Sequence, residues 1–269
     1  MATYTGVADA NGDFRVPFST NYTSGQKITV TAEKDAATKT IELFAPSETT
    51  GNGVIQFTGT LDDFPKNIGG VLITGLVGKI FDFAFALDVS ITTDFIFNKA
   101  TSLKIDNGIS EIGSYAFWYW RSIVELNLPS TLISIGNYAF YGWSALQNLT
   151  IPNSVVSIGA YAFSGLENCI SLNIGSGTKT IGVETFYNMR SLLSADLSQS
   201  LMSIEDWACA SWSECNTVTV RASAPPIIKS NTFAGIKSTV RFYVPASSLA
   251  AYKAAPIWKT FASKIYAIA

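Results

Sequence analysis

The chain has no histidine among its 269 residues. That removes the commonest general base, the usual partner of a nucleophilic side chain and the commonest transition-metal ligand together. An enzyme is therefore not expected, and no cofactor is implied. Charge is scarce as well. Asp, Glu, Lys and Arg make up 14% of the chain, against about a quarter in ordinary globular proteins. The net charge is −2 and no basic block stands out. Binding to a nucleic-acid backbone needs clustered Lys and Arg, so no nucleic-acid partner is expected. Three cysteines, Cys169, Cys209 and Cys215, are too few and too irregularly spaced for a metal site or a disulfide framework. Only Cys209 and Cys215 form a pair worth checking. Long apolar runs are missing too: residues 69–91 are interrupted by Lys79, Asp82 and Asp88, short of the ~18 residues of a membrane span. No membrane insertion is expected. The first residues lack the basic region and apolar run of a secretory leader.

What the sequence does have is a period. Hydrophobic residues reach 48%, enough for a continuous core, and they recur in columns. Ile112-Gly113, Ile135-Gly136, Ile158-Gly159, Ile181-Gly182 and Ile204-Glu205 follow one another at steps of 23 residues. Phe117, Phe140, Phe163 and Phe186 keep the step, Cys209 continues it, and Phe233 arrives one residue late. A third column pairs apolar residues around one other: Leu103/Ile105, Leu126/Leu128, Leu149/Ile151, Leu172/Ile174, Ala195/Leu197, Val218/Val220 and Phe242/Val244. Ile123, Leu146, Cys169, Leu192 and Cys215 make a fourth. Such a period with a Leu-x-Leu strand predicts a leucine-rich-repeat solenoid, mainly β with short helices. Each coil buries its apolar edge only against its neighbours, and seven short strands stacked in parallel make a body ~30 Å long. The segments "SYAFWYW" and "NYAFYGW" predict a short helical side, begun by a tight turn at the glycine.

The stretch "LPSTLISIGNYAFYGWSALQNLTIPNSVVSIGAYAFSGL" resembles the BspA-like, or Treponema-type, leucine-rich repeats. "RFYVPASSLAAYKAAPIWKTFASKIYAI" (241–268) resembles the C-terminal cap of such proteins. The resemblance implies an adhesin displayed on a phage tail or virion, since similar repeats occur in phage tails, and after it a secreted bacterial surface adhesin. It carries over no catalytic residue. A cell-surface glycan or protein is the implied partner, with a virion or the extracellular bacterial surface as the location. A structural or decoration protein of a larger assembly is the alternative.

The domain reading follows. Regular repeats span 99–245, a C-terminal cap 246–269, and an N-terminal cap with degenerate repeats 54–98. In that last segment "GGVLITGLVG" supplies an initial strand and "IFDFAFALDVSITTDFIF" a bulky cover. Ser247 is the expected N-cap of a terminal helix stopped by Pro256. Residues 46–53 have linker composition. Over 1–45, Asn11-Gly12 reads as a hairpin turn, and "KITVTAEK" with "TKTIELF" as a second hairpin. "GVADANGDFRVPF…GQKITVTAEKDAATKTIELF" resembles part of a bacterial immunoglobulin-like domain. A module of that size has a marginal core, which predicts attachment of residues 1–45 to a carrier protein or to a second copy.

Two surfaces are candidates for recognition. Outward strand positions give the polar column Lys104, Asn127, Thr150, Asn173, Asp196 and Thr219, either a solvated face or a shallow binding site. On the other side Trp118, Tyr141, Ser164, Tyr187 and Ala210 form one column, and Tyr119, Gly142, Gly165, Asn188 and Ser211 the next. Changing polarity down each column predicts exposure. Trp118, Tyr119, Tyr141 and Tyr187 suit stacking on a sugar or a protein anchor, and equally coil-to-coil packing. The neighbouring column Trp120, Trp143, Leu166, Met189 and Trp212 stays apolar and is assigned to the core.

Overall fold

The computed structural model describes residues 14–17, 27–34, 37–44, 54–58, 69–74, 77–85 and 100–269. These form a mainly β parallel solenoid of about seven turns with few short helices. The Leu-x-Leu column lies on one strand per turn, Ala100–Ile105, Glu125–Asn127, Asn148–Ile151, Ser171–Ile174, Ser194–Leu197, Thr217–Val220 and Arg241–Val244, with Gly69–Thr74 paired before the first and Ile265–Ala267 after the last. Equivalent residues face each other in parallel register, Leu149 opposite Leu172 and Leu172 opposite Ala195. Along Asn148–Ile151 exposure alternates out, in, out, in, because successive side chains of a strand leave opposite faces. Leu149 and Ile151 are thereby buried while Asn148 and Thr150 face outward.

A second sheet, unforeseen from sequence, runs down the Ser-Ile positions. Gly78–Ile80, Ile109–Ile112, Ser134–Ile135, Ser157–Ile158, Thr180–Ile181, Ser203–Ile204 and Ile227–Ile228 pair in parallel. Strands this short carry no two-residue alternation to recognise.

The segment after each Ile-Gly is not helical, which corrects the expectation above. Tyr115, Tyr138, Tyr161, Glu184 and Trp207 all have φ between 51° and 59°, and Tyr119, Asn188 and Ser211, four residues further along their coils, have φ of 63–66°. Left-handed residues at that interval break any run of helical hydrogen bonds. The backbone bonds to the next coil instead: Tyr115, Phe117 and Tyr119 N–H donate to the carbonyls of Asn137, Ala139 and Tyr141 at 2.8, 2.9 and 2.9 Å. Tyrosine tolerates the strained conformation because this ladder fixes it from both sides.

The Ile-Gly glycines also act differently from the sequence reading. Gly113, Gly136, Gly159 and Gly182 do not have positive φ. They are needed for close approach. A Cβ on Gly136 would lie 2.5 Å from Ser114 N, and one on Gly113 would collide with the backbone of Asp82. At Gly182 the nearest atom is 3.1 Å away, and one coil later the position accepts Glu205.

Between the sheets and the turns lies one continuous core. Phe117, Phe140, Phe163 and Phe186 stack at centroid spacings of 5.4, 5.0 and 5.7 Å. The Trp120 column is fully buried, as expected, with Trp143 Nε1–H donating to Phe117 O at 2.7 Å and Trp212 Nε1–H to Phe186 O at 2.8 Å. Cys169, Cys209 and Cys215 are buried free thiols inside this core, so Cys209 and Cys215 do not pair.

At the C-terminal end Ser247 does not cap a helix. Ala246–Ser248 is a 3-10 turn, and Ser248 Oγ instead donates to Ser223 O at 2.6 Å. The helix Leu249–Ala254 ends two residues before Pro256, with Ala255 extended, as a residue preceding proline requires. Trp258 and Tyr252 close the core, donating to Pro226 O and Ala222 O at 2.8 Å each.

At the other end Gly69–Thr74 is the expected initial strand, paired in parallel with Ala100–Ile105. Phe83 and Phe85 already belong to a regular turn, stacked on Tyr115 and Phe117 at 4.7 and 5.0 Å. Val54–Thr58 adds antiparallel to Gly69–Thr74, and Phe14–Pro17 to Val54–Thr58. Lys27–Lys34 and Ala37–Phe44 form the second expected hairpin. The Asn11-Gly12 turn, the 46–53 linker and part of the immunoglobulin-like module expected over 1–45 lie outside the described residues.

Candidate functional site

The column Tyr119, Gly142, Gly165, Asn188 decides the surface of the turn side. Two successive glycines, with φ of 79° and 82°, leave a notch between Tyr119 and Asn188, ~14 Å across three coil spacings. Its volume is about 260 Å³, and Arg121, Tyr141, Ser144 and Glu167 complete the lining. Tyr119 lies against Gly142, where a Cβ would meet the ring at 3.0 Å. Its ring carries the Arg121 guanidinium at 4.6 Å and touches Tyr141 edge-on at 5.3 Å. At the far end Asn188 Nδ2–H donates to Glu167 Oε1 at 3.0 Å, and Arg190 Nε–H donates to Asn188 Oδ1 at 2.6 Å. The notch thus offers an aromatic wall, a bare backbone floor and a fixed rim of guanidinium, amide and carboxylate.

Of the residues chosen from sequence, Tyr119 and Tyr141 line the notch, while Trp118 packs edge-on against Tyr119 at 4.3 Å without lining it. Tyr187 does not line the notch. All four are half-buried, not fully exposed, and Ser164 and Ala210 of the same column are buried. The ladder of inter-coil hydrogen bonds turns their backbones inward. Arg121 and Glu167 were missed. They stand in a column with Ser144 and Arg190 whose sign changes from coil to coil, and reading it would have found them.

The sheet column is polar and mostly exposed. Lys104 pairs with Asp106 at 3.2 Å, and Asn127 Nδ2–H donates to Glu125 Oε1 at 2.9 Å. Asn173 and Asp196 border a smaller hollow of about 150 Å³. Across it Arg221 grips Asp196 with two bonds, Nε–Oδ1 at 2.7 Å and Nη2–Oδ2 at 2.5 Å. Thr150 is exposed between them and Asn127. Among the described residues no group of three His, Cys, Asp or Glu is placed to hold a metal ion, and no helix is long and apolar enough to cross a membrane.

Among the groups held well above their ordinary pKa are Tyr161 on the turn side and the core thiols of Cys169 and Cys215. Tyr161 Oη–H donates to Glu184 Oε1 at 2.9 Å, and that bond raises the phenol from 10.0 to about 12. Burial raises the Cys169 and Cys215 thiols from 9.0 to about 12. A raised folded-state value means stability that is complete below the unfolded value and lost as the pH climbs through the folded one. Thermal melts are expected to hold level up to about pH 9 and fall steadily towards about pH 12. Tyr161→Phe should flatten the part of the fall above about pH 10. A melting temperature unchanged across that range would contradict the assignment.

The geometry can now be set beside known proteins. Residues 110–240 match the BspA type leucine rich repeat region, in six copies. The matched residues contain the whole notch. Among solved structures, the T. pallidum leucine rich repeat protein is 18% identical, with 78% of this chain and 92% of that one covered and a TM-score of 0.49. A leucine rich cell surface protein from Faecalibacterium prausnitzii is 15% identical over 83% of this chain and 95% of that one, at a TM-score of 0.38. A leucine-rich repeat protein from Bacteroides ovatus is 18% identical over 84% and 76%, at 0.36. No curated protein sequence matches the chain.

Proposed function

We propose that this protein is a non-enzymatic recognition protein of the adhesin type, displayed on a bacterial cell surface or a phage virion, which binds a cell-surface carbohydrate in the notch between Tyr119 and Asn188. The observation that carries the proposal is the notch's composition. A sugar ring presents C–H groups to an aromatic wall and hydroxyls to a polar rim, and the wall at Tyr119 and Tyr141 and the rim at Arg121, Glu167 and Asn188 supply both. At about 260 Å³ the notch is near the small end of ligand pockets. The BspA type of the repeats supports the surface role. In this reading residues 1–45 attach the repeats to a carrier or to a second copy. The hairpin Lys27–Lys34/Ala37–Phe44 pairs with no further strand among the described residues, which leaves edges open to such pairing.

An array of immobilised glycans tests the proposal with the full chain. Wild type is expected to bind a restricted set. Tyr119→Ala removes an aromatic anchor and should weaken binding roughly thirtyfold, about 2 kcal/mol. Asn173→Ala, on the sheet face, should leave it unchanged. Binding to no glycan, or equal binding by Tyr119→Ala, would overturn the proposal.

A further inference from the structure

Charge is spread unevenly along the notch. Arg121, Ser144, Glu167 and Arg190 form one column, one residue per coil. Arg121 and Glu167 stand ~9.6 Å apart by two strand spacings, with only the short Ser144 between them. No ion pair among the described residues joins the two. Both side chains are exposed where they line the notch.

The two charges differ in what they already hold. Glu167 Oε1 accepts from Asn188 Nδ2–H, and Asn188 Oδ1 in turn accepts from Arg190 Nε–H. The Arg121 guanidinium lies over the Tyr119 ring at 4.6 Å from its centre, and its N–H groups meet no acceptor among the described residues. An aromatic face holds a guanidinium by its charge, without taking up its five donors. Arg121 and Arg190 against Glu167 give this rim one net positive charge, on a chain whose net charge is −2.

The geometry points to an acidic sugar residue as the ligand of the notch, its carboxylate on Arg121 and its hydroxyls toward Glu167 and Asn188; this rests on the reading of the notch as a carbohydrate site. A guanidinium fork meets the two oxygens of a carboxylate with parallel, charge-assisted bonds and leaves neither unpaired, whereas a sulfate ester brings a third oxygen. At the far rim the ligand needs donors instead. Glu167 keeps acceptor capacity on its second oxygen, which sugar hydroxyls satisfy. Because the Asn188–Arg190 pair stands against Glu167, the bound carboxylate meets a rim of opposite net sign.

Immobilised sialylated and uronate-containing oligosaccharides are the probes, bound by the full chain at matched ionic strength. Each is run beside its counterpart with the carboxyl reduced to an alcohol, and beside sulfated neutral glycans. Reduction removes the charge and keeps the ring. The carboxylated form is expected to bind at least about tenfold more tightly than the reduced one. Arg121→Gln should bring the two forms to equal affinity, and Arg121→Lys should keep part of the preference, as a point charge without the fork. The ratio of the two affinities separates recognition from a structural role, since a displaced Tyr119 wall would weaken both forms alike. Equal binding of both forms by wild type, an unchanged ratio in Arg121→Gln, or binding of sulfated glycans alone would overturn the carboxylate assignment. If wild type binds both forms equally and Tyr119→Ala weakens both, the notch stands and only its acidic preference fails. Binding to no glycan overturns the notch and this assignment together.

Discussion

Trp143→Ala is expected to lower the free energy of unfolding by about 3–5 kcal/mol, the range for emptying a buried tryptophan site. Trp143 is fully buried, meets Phe140 edge-on at 5.0 Å and stacks on Trp120 at 6.1 Å. Its Nε1–H also satisfies Phe117 O at 2.7 Å, so truncation leaves both a cavity and a buried carbonyl without that partner. Trp143→Phe separates the two losses. It keeps most of the volume and should cost about 1–3 kcal/mol, the penalty of the unsatisfied group. In a solenoid each coil is stabilised only by its neighbours. Weakening the coil at Trp143 should therefore split urea unfolding into two transitions, because the coils on either side lose their coupling. A single transition with a loss below about 1 kcal/mol would contradict this view of the core.

Gly136→Ala is the second large effect. The added Cβ would stand 2.5 Å from Ser114 N and 2.6 Å from Gly113 C. Both are backbone atoms held by inter-coil hydrogen bonds, so no side chain can swing aside. The cost should fall at the upper end of the about 1–3 kcal/mol usual for overpacking. Gly182→Ala is the control: its nearest neighbour is 3.1 Å away, and the next coil carries Glu205. Its cost should stay below about 1 kcal/mol. Chemical denaturation of both variants decides the matter. Equal losses would mean that the glycines serve some purpose other than close approach.

The contrast between these glycines shows what a sequence can and cannot reveal. The repeat, its strand and the core columns were legible, because periodic burial writes itself as periodic letters. The turn geometry was not. "SYAFWYW" has the apolar spacing of a short helix and no glycine at Tyr115, yet Tyr115 is left-handed at φ 59°. That conformation is imposed by hydrogen bonds to residues 22 positions away, such as Tyr115 N to Asn137 O. A local pattern does not contain them. The glycine after each isoleucine was recognised as special, but for a turn instead of a contact, since both readings predict the same letter.

The notch was half legible. Tyr119 and Tyr141 stood out as aromatics in variable columns, and Gly142 and Gly165 as gaps in them. Arg121 and Glu167 did not, because charged residues on a surface usually serve solvation alone. Only the fold shows that the glycines open a space and that these charges border it. One irregularity also became intelligible. Asp82 and Asn137 accept from the backbone of the following coil, at Ser114 N and Ala160 N, 2.8 Å each. Asp206 Oδ1 is buried without a partner, one coil before the one in which Phe233 comes a residue late.

Hydroxyl-radical footprinting distinguishes the two faces most directly, since each has its own tyrosines. Tyr119 and Tyr141 line the notch, while Tyr243 and Tyr266 lie on the outer sheet strands, paired in register. With the tightest-binding glycan of the array added to the full chain, oxidation of Tyr119 and Tyr141 should fall while that of Tyr243 and Tyr266 stays unchanged. Protection of Tyr243 and Tyr266 with none at Tyr119 and Tyr141 would place recognition on the sheet and contradict the notch.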